Sequence, residues 1–235
     1  MKVAYCFAGH SRTWDKCHES FFKNMYSVAP GPIFIHTWDK VSSNVPAYWN
    51  EFKGVDFIAA NAPADIEGIT KAYQPTQIMV ESQRSYVTVP GMKGEYINDI
   101  GIKDYYESRL KAFQMAQRSG TYDRIIMTRL DIDFTSQLDP NELTSDDVYA
   151  THHARLHDLG DFSDLWCHAS MRDMETLCLY YFNADRIYFA NPARRIYHEC
   201  AWSEYMREQG LKVKASAMKF RIPRIDGSFT LFPEK

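Results

Sequence analysis

Two carboxylates one residue apart, Asp131 and Asp133, close the run Tyr122-Asp123-Arg124-Ile125-Ile126-Met127-Thr128-Arg129-Leu130-Asp131-Ile132-Asp133-Phe134. Hard divalent cations take oxygen ligands, so an Asp-x-Asp pair at the mouth of a buried strand can share one such ion with a substrate's phosphates. If extended backbone continues through Ile132, both side chains point the same way. Arg129 then lies on the face of Asp131, where its guanidinium can fork onto a carboxylate or a phosphate. The plainer alternatives are a structural ion pair and an Asp-rich turn, since Asp139-Pro140-Asn141 follows closely.

Gly9-His10-Ser11-Arg12 forms a second candidate anion site. Gly9 lets backbone approach a ligand, the helix start behind it offers N–H groups, and Arg12 adds positive charge. His152, His153 and His157 read as loop histidines rather than a zinc site, because neither a His-Glu-x-x-His pattern nor a cysteine cluster accompanies them. The Gly-x-x-x-x-Gly-Lys, Gly-x-Ser-x-Gly and Gly-x-Gly-x-x-Gly signatures of kinases, hydrolases and dehydrogenases are absent from the sequence.

The elements that must position these residues alternate. Val3 to Ala8 reads as a strand ended by Gly9, and Trp14, Cys17, Phe21 and Met25 then recur at helical spacing. Residues 32–36 and 76–80 repeat the strand signal, with a short helix between Ala64 and Tyr73. A helix from Lys103 to Arg118, stopped by Ser119-Gly120, feeds a strand over Ile125 to Arg129. Asp147 to Thr151 and Leu165 to Ala169 are further strands. Arg172 to Phe182 and Arg195 to Gln209 are helices, the second stopped by Gly210. Gly91 to Gly101 is the segment most suited to a mobile loop over a substrate. This alternation predicts an α/β sandwich with a mainly parallel central sheet, in which ligands sit beyond the carboxyl ends of the strands. Both Gly9-to-Arg12 and Asp131-to-Asp133 fall at such ends, so they are expected to share one cleft.

With 235 residues, the chain is read as one domain spanning 1–235. A net charge of -3 provides no electrostatic footprint for nucleic acid. No window approaches the ~18 consecutive apolar residues of a membrane span, and the N-terminal apolar run is too short for a signal segment. Five widely spaced cysteines without Cys-x-x-Cys suit a reducing compartment, so a cytoplasmic location is expected, the host cytoplasm if the chain is viral.

Several of these segments together resemble glycosyltransferases of the GT-A type, particularly small bacterial capsule and large-DNA-virus enzymes that use nucleotide sugars. Gly9-His10-Ser11-Arg12-Thr13 is similar to their opening Gly-x-x-Arg-Thr. Ile33-Phe34-Ile35-His36-Thr37-Trp38-Asp39 is similar to their second strand, and Arg129-Leu130-Asp131 to their Arg-x-Asp segment. Asp164-Leu165-Trp166-Cys167-His168-Ala169-Ser170 with Asp173-Met174-Glu175 resembles their later Asp-strand-helix unit. Leu130 and Ala169 stand where the family often has Pro and Gly.

The resemblance implies a GT-A-like (Rossmann-like) nucleotide-diphospho-sugar transferase sandwich. Gly9, Arg12, Arg129 and Asp131 would contact the donor, and Asp131 and Asp133 would hold Mn²⁺ or Mg²⁺. It further implies a UDP-hexose donor and a glycan or glycoprotein acceptor; inversion at the anomeric centre is expected and requires a carboxylate base on the acceptor side, whereas a retaining outcome would need none. Asp164 is then the expected general base, with Glu199 and Glu204 in reserve. Two rivals stay open. Asp131-Ile132-Asp133-Phe134-Thr135 also fits the Asp-x-Asp-x-Thr nucleophile motif of haloacid-dehalogenase-like phosphatases, although too few residues separate it from the acidic Gly160-Asp161-Phe162-Ser163-Asp164 segment. A non-catalytic nucleotide- or carbohydrate-binding module predicts the same fold.

Overall fold

The first strand, β1 (Val3–Ala8), is buried along its whole length. Val3, Tyr5 and Phe7 enter one core, while Ala4, Cys6 and Ala8 enter the other. A near-continuous apolar segment of this kind marks a strand covered on both faces. Its two faces differ in bulk. On the small-residue side the helix α3 (Ile97–Ser119) presents Ala112 and Ala116, and the helix packs close enough for Cys6 Sγ to lie 3.6 Å from the Ala112 carbonyl oxygen. On the other side, Phe7 meets Phe21 and Tyr73 edge-on at 5.0 and 5.1 Å, from the helices α1 (Trp14–Phe21) and α2 (Ile66–Tyr73).

This computed structural model describes residues 1–41, 62–82, 97–152, 162–184, 186–187, 198–223 and 229–232. The remaining strands are β2 (Ile33–Trp38), β3 (Gln77–Glu81), β4 (Arg124–Thr128), β5 (Asp133–Phe134), β6 (Val148–His152), β7 (Phe162–Ala169), β8 (Val213–Ala215), β9 (Phe220–Pro223) and β10 (Phe229–Phe232). Among the described residues, one sheet has the order β3-β2-β1-β4-β7-β6-β8, and a smaller one has the order β10-β9-β5. The large sheet is mostly parallel, as expected. β7 is the reversed strand, antiparallel to both β4 and β6.

Two features of this topology position the site. First, the chain runs outward from β1 through β2 to β3, then returns to place β4 on the other side of β1. The order therefore reverses between β1 and β4, which is where open α/β sheets leave a crevice beyond the carboxyl ends. Second, β7 pairs Met127 with Cys167 and Ile125 with Ala169. Its reversed direction thus brings its first residues, including Asp164, to the edge where β4 ends.

Several boundaries depart from the sequence reading. The helical spacing from Trp14 to Met25 continues beyond α1 as a π turn over Phe22–Tyr26. α3 begins at Ile97, so the C-terminal part of the expected Gly91-to-Gly101 loop forms its first turns, while 91–96 lie outside the described residues. The helix expected over Arg172 to Phe182 is two helices, α5 (Met171–Cys178) and α6 (Tyr180–Ala184), which divide at Leu179. The final helix, α7, is described over His198–Glu208, and the expected residues 195–197 lie outside the described part. A short helix, α4 (Pro140–Leu143), is capped by Asp139, whose side chain accepts the Asn141 N–H.

Candidate functional site

Gly9, at the carboxyl end of β1, has φ +101, a backbone conformation that side chains rarely adopt. Its N–H is engaged inside the fold, donating to the Ser108 hydroxyl at 2.8 Å and to the His36 carbonyl at 3.2 Å. Gly9 therefore shapes the turn rather than offering its amide to an anion.

Arg12 follows at φ 27, in the left-handed region without glycine's freedom, which costs about 1–3 kcal/mol. The surroundings enforce it. The Arg12 N–H donates to the Val41 carbonyl at 3.0 Å, and the next residue's Thr13 hydroxyl donates to the Pro223 carbonyl of β9 at 3.0 Å. This strained turn sends the Arg12 guanidinium across to β4's end, where Nη1 lies 3.5 Å from Asp131 Oδ2. The two motifs meet at one edge, as their positions after β1 and β4 predict.

Asp131 is fully buried and forked by Arg129, with Nε to Oδ1 at 2.8 Å and Nη2 to Oδ2 at 2.5 Å. Burial works against the Arg129 charge, but the adjacent Asp131 carboxylate outweighs it and pushes the guanidinium's pKa above its ordinary value. The Arg129 guanidinium also lies 5.8 Å from the Tyr105 ring centre. His10, on the turn itself, is held neutral by burial and by Arg12, its pKa lowered to about 3.

The extended backbone assumed through Ile132 does not occur. β4 stops at Thr128, a turn takes Leu130 and Asp131, and β5 starts afresh at Asp133 in the smaller sheet. There Asp133 pairs across the ladder with Arg221 of β9, whose Nε donates to Asp133 Oδ2 at 2.6 Å. Sequence reasoning missed Arg221. The Phe220-Arg221-Ile222 alternation, with both flanking residues buried, is the signal that marks it as a strand position.

Asp164 lies within β7 rather than ahead of it, 1% exposed, and its Oδ2 accepts the Tyr106 hydroxyl at 2.7 Å. Burial first, and then Asp164, push the Tyr106 hydroxyl's pKa far above the usual tyrosine range, so it remains a donor. The Asp164 carbonyl accepts from the Tyr105 hydroxyl at 3.0 Å and from Arg109. Arg109 is itself buried, with its guanidinium 5.2 Å from the Trp202 ring centre and 5.7 and 5.8 Å from those of Tyr105 and Tyr106. Tyr105 is the hub that sequence reasoning missed, touching Asp164, Arg129 and the space a Cβ on Gly9 would occupy. Tyr106 and its i+4 partner Leu110 carry the helical period, which draws attention away from position 105.

The reserve carboxylates Glu199 and Glu204 sit on α7. His152 is the last residue of β6 rather than a loop residue, and it stacks on Phe162 of the neighbouring strand at 5.0 Å. His153 and His157 lie outside the described residues. An uncharged recess lined by Phe22, Tyr26, Pro32, Tyr73 and Thr76 lies at the amino ends of β2 and β3, the opposite edge of the sheet.

The cation implied by the resemblance does not fit these residues as placed. Both Asp131 oxygens and Oδ2 of Asp133 already accept guanidinium N–H groups, with which a cation at about 2.0–2.6 Å would have to compete. Among the described residues, no group of three or more His, Cys, Asp or Glu is arranged to hold a metal.

The fold and the edge cluster define an α/β protein, compatible with a Rossmann-like fold, that gathers arginines and carboxylates where the strand order reverses. No protein-family model matches the chain, and no curated protein matches it either. Among the described residues, no helix is long and apolar enough to cross a membrane, and the five cysteines are free thiols.

Proposed function

We propose that this protein is a GT-A-like glycosyltransferase, moving a sugar from a nucleotide diphosphate to a hydroxyl of a glycan or glycoprotein. The observation that carries this reading is the convergence of the Gly9-to-Arg12 turn and the Arg129–Asp131 fork beyond the carboxyl ends of β1 and β4. In open sheets that crevice receives nucleotides, and paired guanidiniums suit the charge of a diphosphate.

In this reaction the bond from the anomeric carbon to the diphosphate oxygen breaks, and negative charge grows on the leaving group. Arg12 and Arg129, held by Asp131, stabilise that charge with little reorganisation. The acceptor hydroxyl bonds to the anomeric carbon and loses its proton to a base. A base must come within hydrogen-bond reach of that hydroxyl. Asp164, buried with its carboxylate on the Tyr106 hydroxyl, supports a positioning role in this reading.

The phosphatase reading requires Asp131 to attack phosphorus, yet both of its oxygens accept from Arg129. Purified full-length protein, assayed against UDP- and GDP-sugars, is expected to release the nucleoside diphosphate slowly to water and faster with glycan acceptors. Asp131→Asn should lower that release about a hundredfold or more, the scale of losing a group that organises transition-state charge stabilisation. Hydrolysis of p-nitrophenyl phosphate without any nucleotide-sugar turnover would establish the phosphatase instead. Nucleotide binding without turnover would establish the binding module.

A further inference from the structure

Behind the Gly9 turn, a chain of hydrogen bonds runs to the edge strand β3. The Gly9 N–H donates to the Ser108 hydroxyl of α3 at 2.8 Å, and that hydroxyl lies 2.7 Å from His36 Nδ1 of β2. His36 Nε2 lies 3.0 Å from Glu81 Oε2 of β3, and Lys111 of α3 donates to the same oxygen. Ser108 and His36 are both 0% exposed, so no water competes for these bonds. Neither residue belongs to the cluster of arginines and carboxylates at the sheet's edge.

The partners fix which nitrogen of His36 carries the hydrogen. Burial works against the Glu81 charge, but Lys111 and His36 prevail and hold its carboxyl below the usual carboxylate range. A carboxylate only accepts, so Nε2 donates to it. In the neutral ring Nδ1 is then an acceptor, and the Ser108 hydroxyl donates to it. A proton arriving on Nδ1 turns that nitrogen into a donor. Ser108 has a second acceptor ready, the His36 carbonyl at 3.2 Å, and its oxygen has lone pairs for both the Nδ1–H and the Gly9 N–H. Both protonation states of the ring are therefore fully hydrogen-bonded.

From this arrangement we infer that His36 is a positioning residue for the Gly9-to-Arg12 turn, operated by a proton. A proton on Nδ1 reverses the Ser108 hydroxyl, and the Gly9 N–H then shares its acceptor with an imidazolium donor. That weakens the Gly9 bond, because an oxygen that accepts twice is a poorer partner than one polarised by donating to a ring nitrogen. The turn carries Arg12 to the end of β4, so the proton acts on the site through the backbone, whatever the edge binds. The charged groups that face the ring are Glu81 from β3 and Lys111 and Glu107 from α3, with Lys111 Nζ 3.0 Å from Glu107 Oε1. Across β1 the ring's register partner is Ala8, and along β2 Trp38 meets it edge-on at 5.1 Å. Burial lowers the His36 pKa below its ordinary 6.5; Glu81 pulls the other way without prevailing, and Lys111 adds to the lowering. The ring is thus neutral at neutral pH and gains its proton on acidification.

The test is heteronuclear NMR of isotopically labelled full-length protein, following the His36 ring nitrogens and the Gly9 amide from neutral pH downward. The expected result is a neutral ring with its hydrogen on Nε2, a midpoint below 6.5, and a Gly9 amide shift that changes with that same midpoint. Ser108→Ala should shrink the Gly9 change by about half or more while His36 still titrates, and the dispersion of its spectrum shows that the fold persists. Should that variant not fold, the wild-type titration decides alone. A neutral ring with its hydrogen on Nδ1, a Gly9 amide that ignores the His36 titration, or a His36 that stays neutral until the protein unfolds would overturn the inference. So would a Gly9 change that Ser108→Ala leaves intact. None of these outcomes bears on the glycosyltransferase reading, which nucleotide-sugar turnover decides separately.

Discussion

Arg129→Met is expected to destabilise the folded protein by about 3 kcal/mol, the lower end of the range for removing one partner of a buried pair. The asymmetry between the partners decides this. Asp131 is fully buried and cannot recruit water, whereas Arg129 retains slight exposure. Once the fork is gone, Asp131 loses both of its short Arg129 contacts, and the Arg12 contact at 3.5 Å is weaker than either. The methionine stem fills much of the arginine's volume, so a cavity contributes little. A double variant, Arg129→Met with Asp131→Leu, should regain most of the lost stability, because replacing both members by apolar groups removes the buried carboxylate together with its forked partner. Urea denaturation reads both results. A single variant as stable as the wild type would show that Asp131 has another sufficient partner.

Asp164→Asn is expected to cost about 3 kcal/mol as well, and here the size of the loss separates two roles. Asparagine keeps the shape and an oxygen acceptor for Tyr106, so what disappears is the charge. That charge lies beside Arg109, which is 1% exposed, donates to the Asp164 carbonyl, and is also lined by three aromatic rings and the Cys167 sulfur, 3.2 Å from its Nη2. Burial opposes the Arg109 charge, while Cys167, Tyr105 and Asp164 favour it and prevail. Loss of the carboxylate therefore leaves the buried Arg109 cation with the Asp164 carbonyl, the rings and the Cys167 sulfur but without the Asp164 charge. If Asp164 acted chiefly as a general base, the same substitution would leave the urea midpoint near wild type and lower kcat by about 10²–10⁴. Combining Asp164→Asn with Arg109→Met should recover stability in the first case and change nothing in the second.

The sequence made the sheet legible where burial on two faces writes a strong signal. Val3 to Ala8, residues 32–36 and Ile125 to Arg129 read as strands because most of their side chains are apolar, and in the structure Val3 to Ala8, Ile33 to His36 and Ile125 to Thr128 are buried. Their alternation with helices was sufficient to predict that Gly9-to-Arg12 and Asp131 share an edge. What the spacing concealed is where backbone direction changes. An Asp-x-Asp pair looks like one strand face, yet the turn at Leu130 and Asp131 sends Asp133 into a second sheet. That sheet is built from residues far along the chain, so Arg221, the partner of Asp133 from a distance of 88 residues, has no local signature. Tyr105 was hidden for a different reason: it lies one position off the apolar stripe of α3, and only the reversed β7 brings the Asp164 carbonyl to its hydroxyl. Asp164 itself was found by type and position, but a carboxylate's burial is a property of its neighbours, here Tyr106 and Arg109.

The most direct measurement is a crystal structure of the full-length protein with the nucleoside diphosphate that binds best. The account predicts the diphosphate beyond the carboxyl ends of β1 and β4, with its oxygens within hydrogen-bond distance of the Arg12 and Arg129 guanidiniums. A diphosphate seated elsewhere, such as the recess between Tyr26 and Tyr73 at the amino ends of β2 and β3, would contradict it.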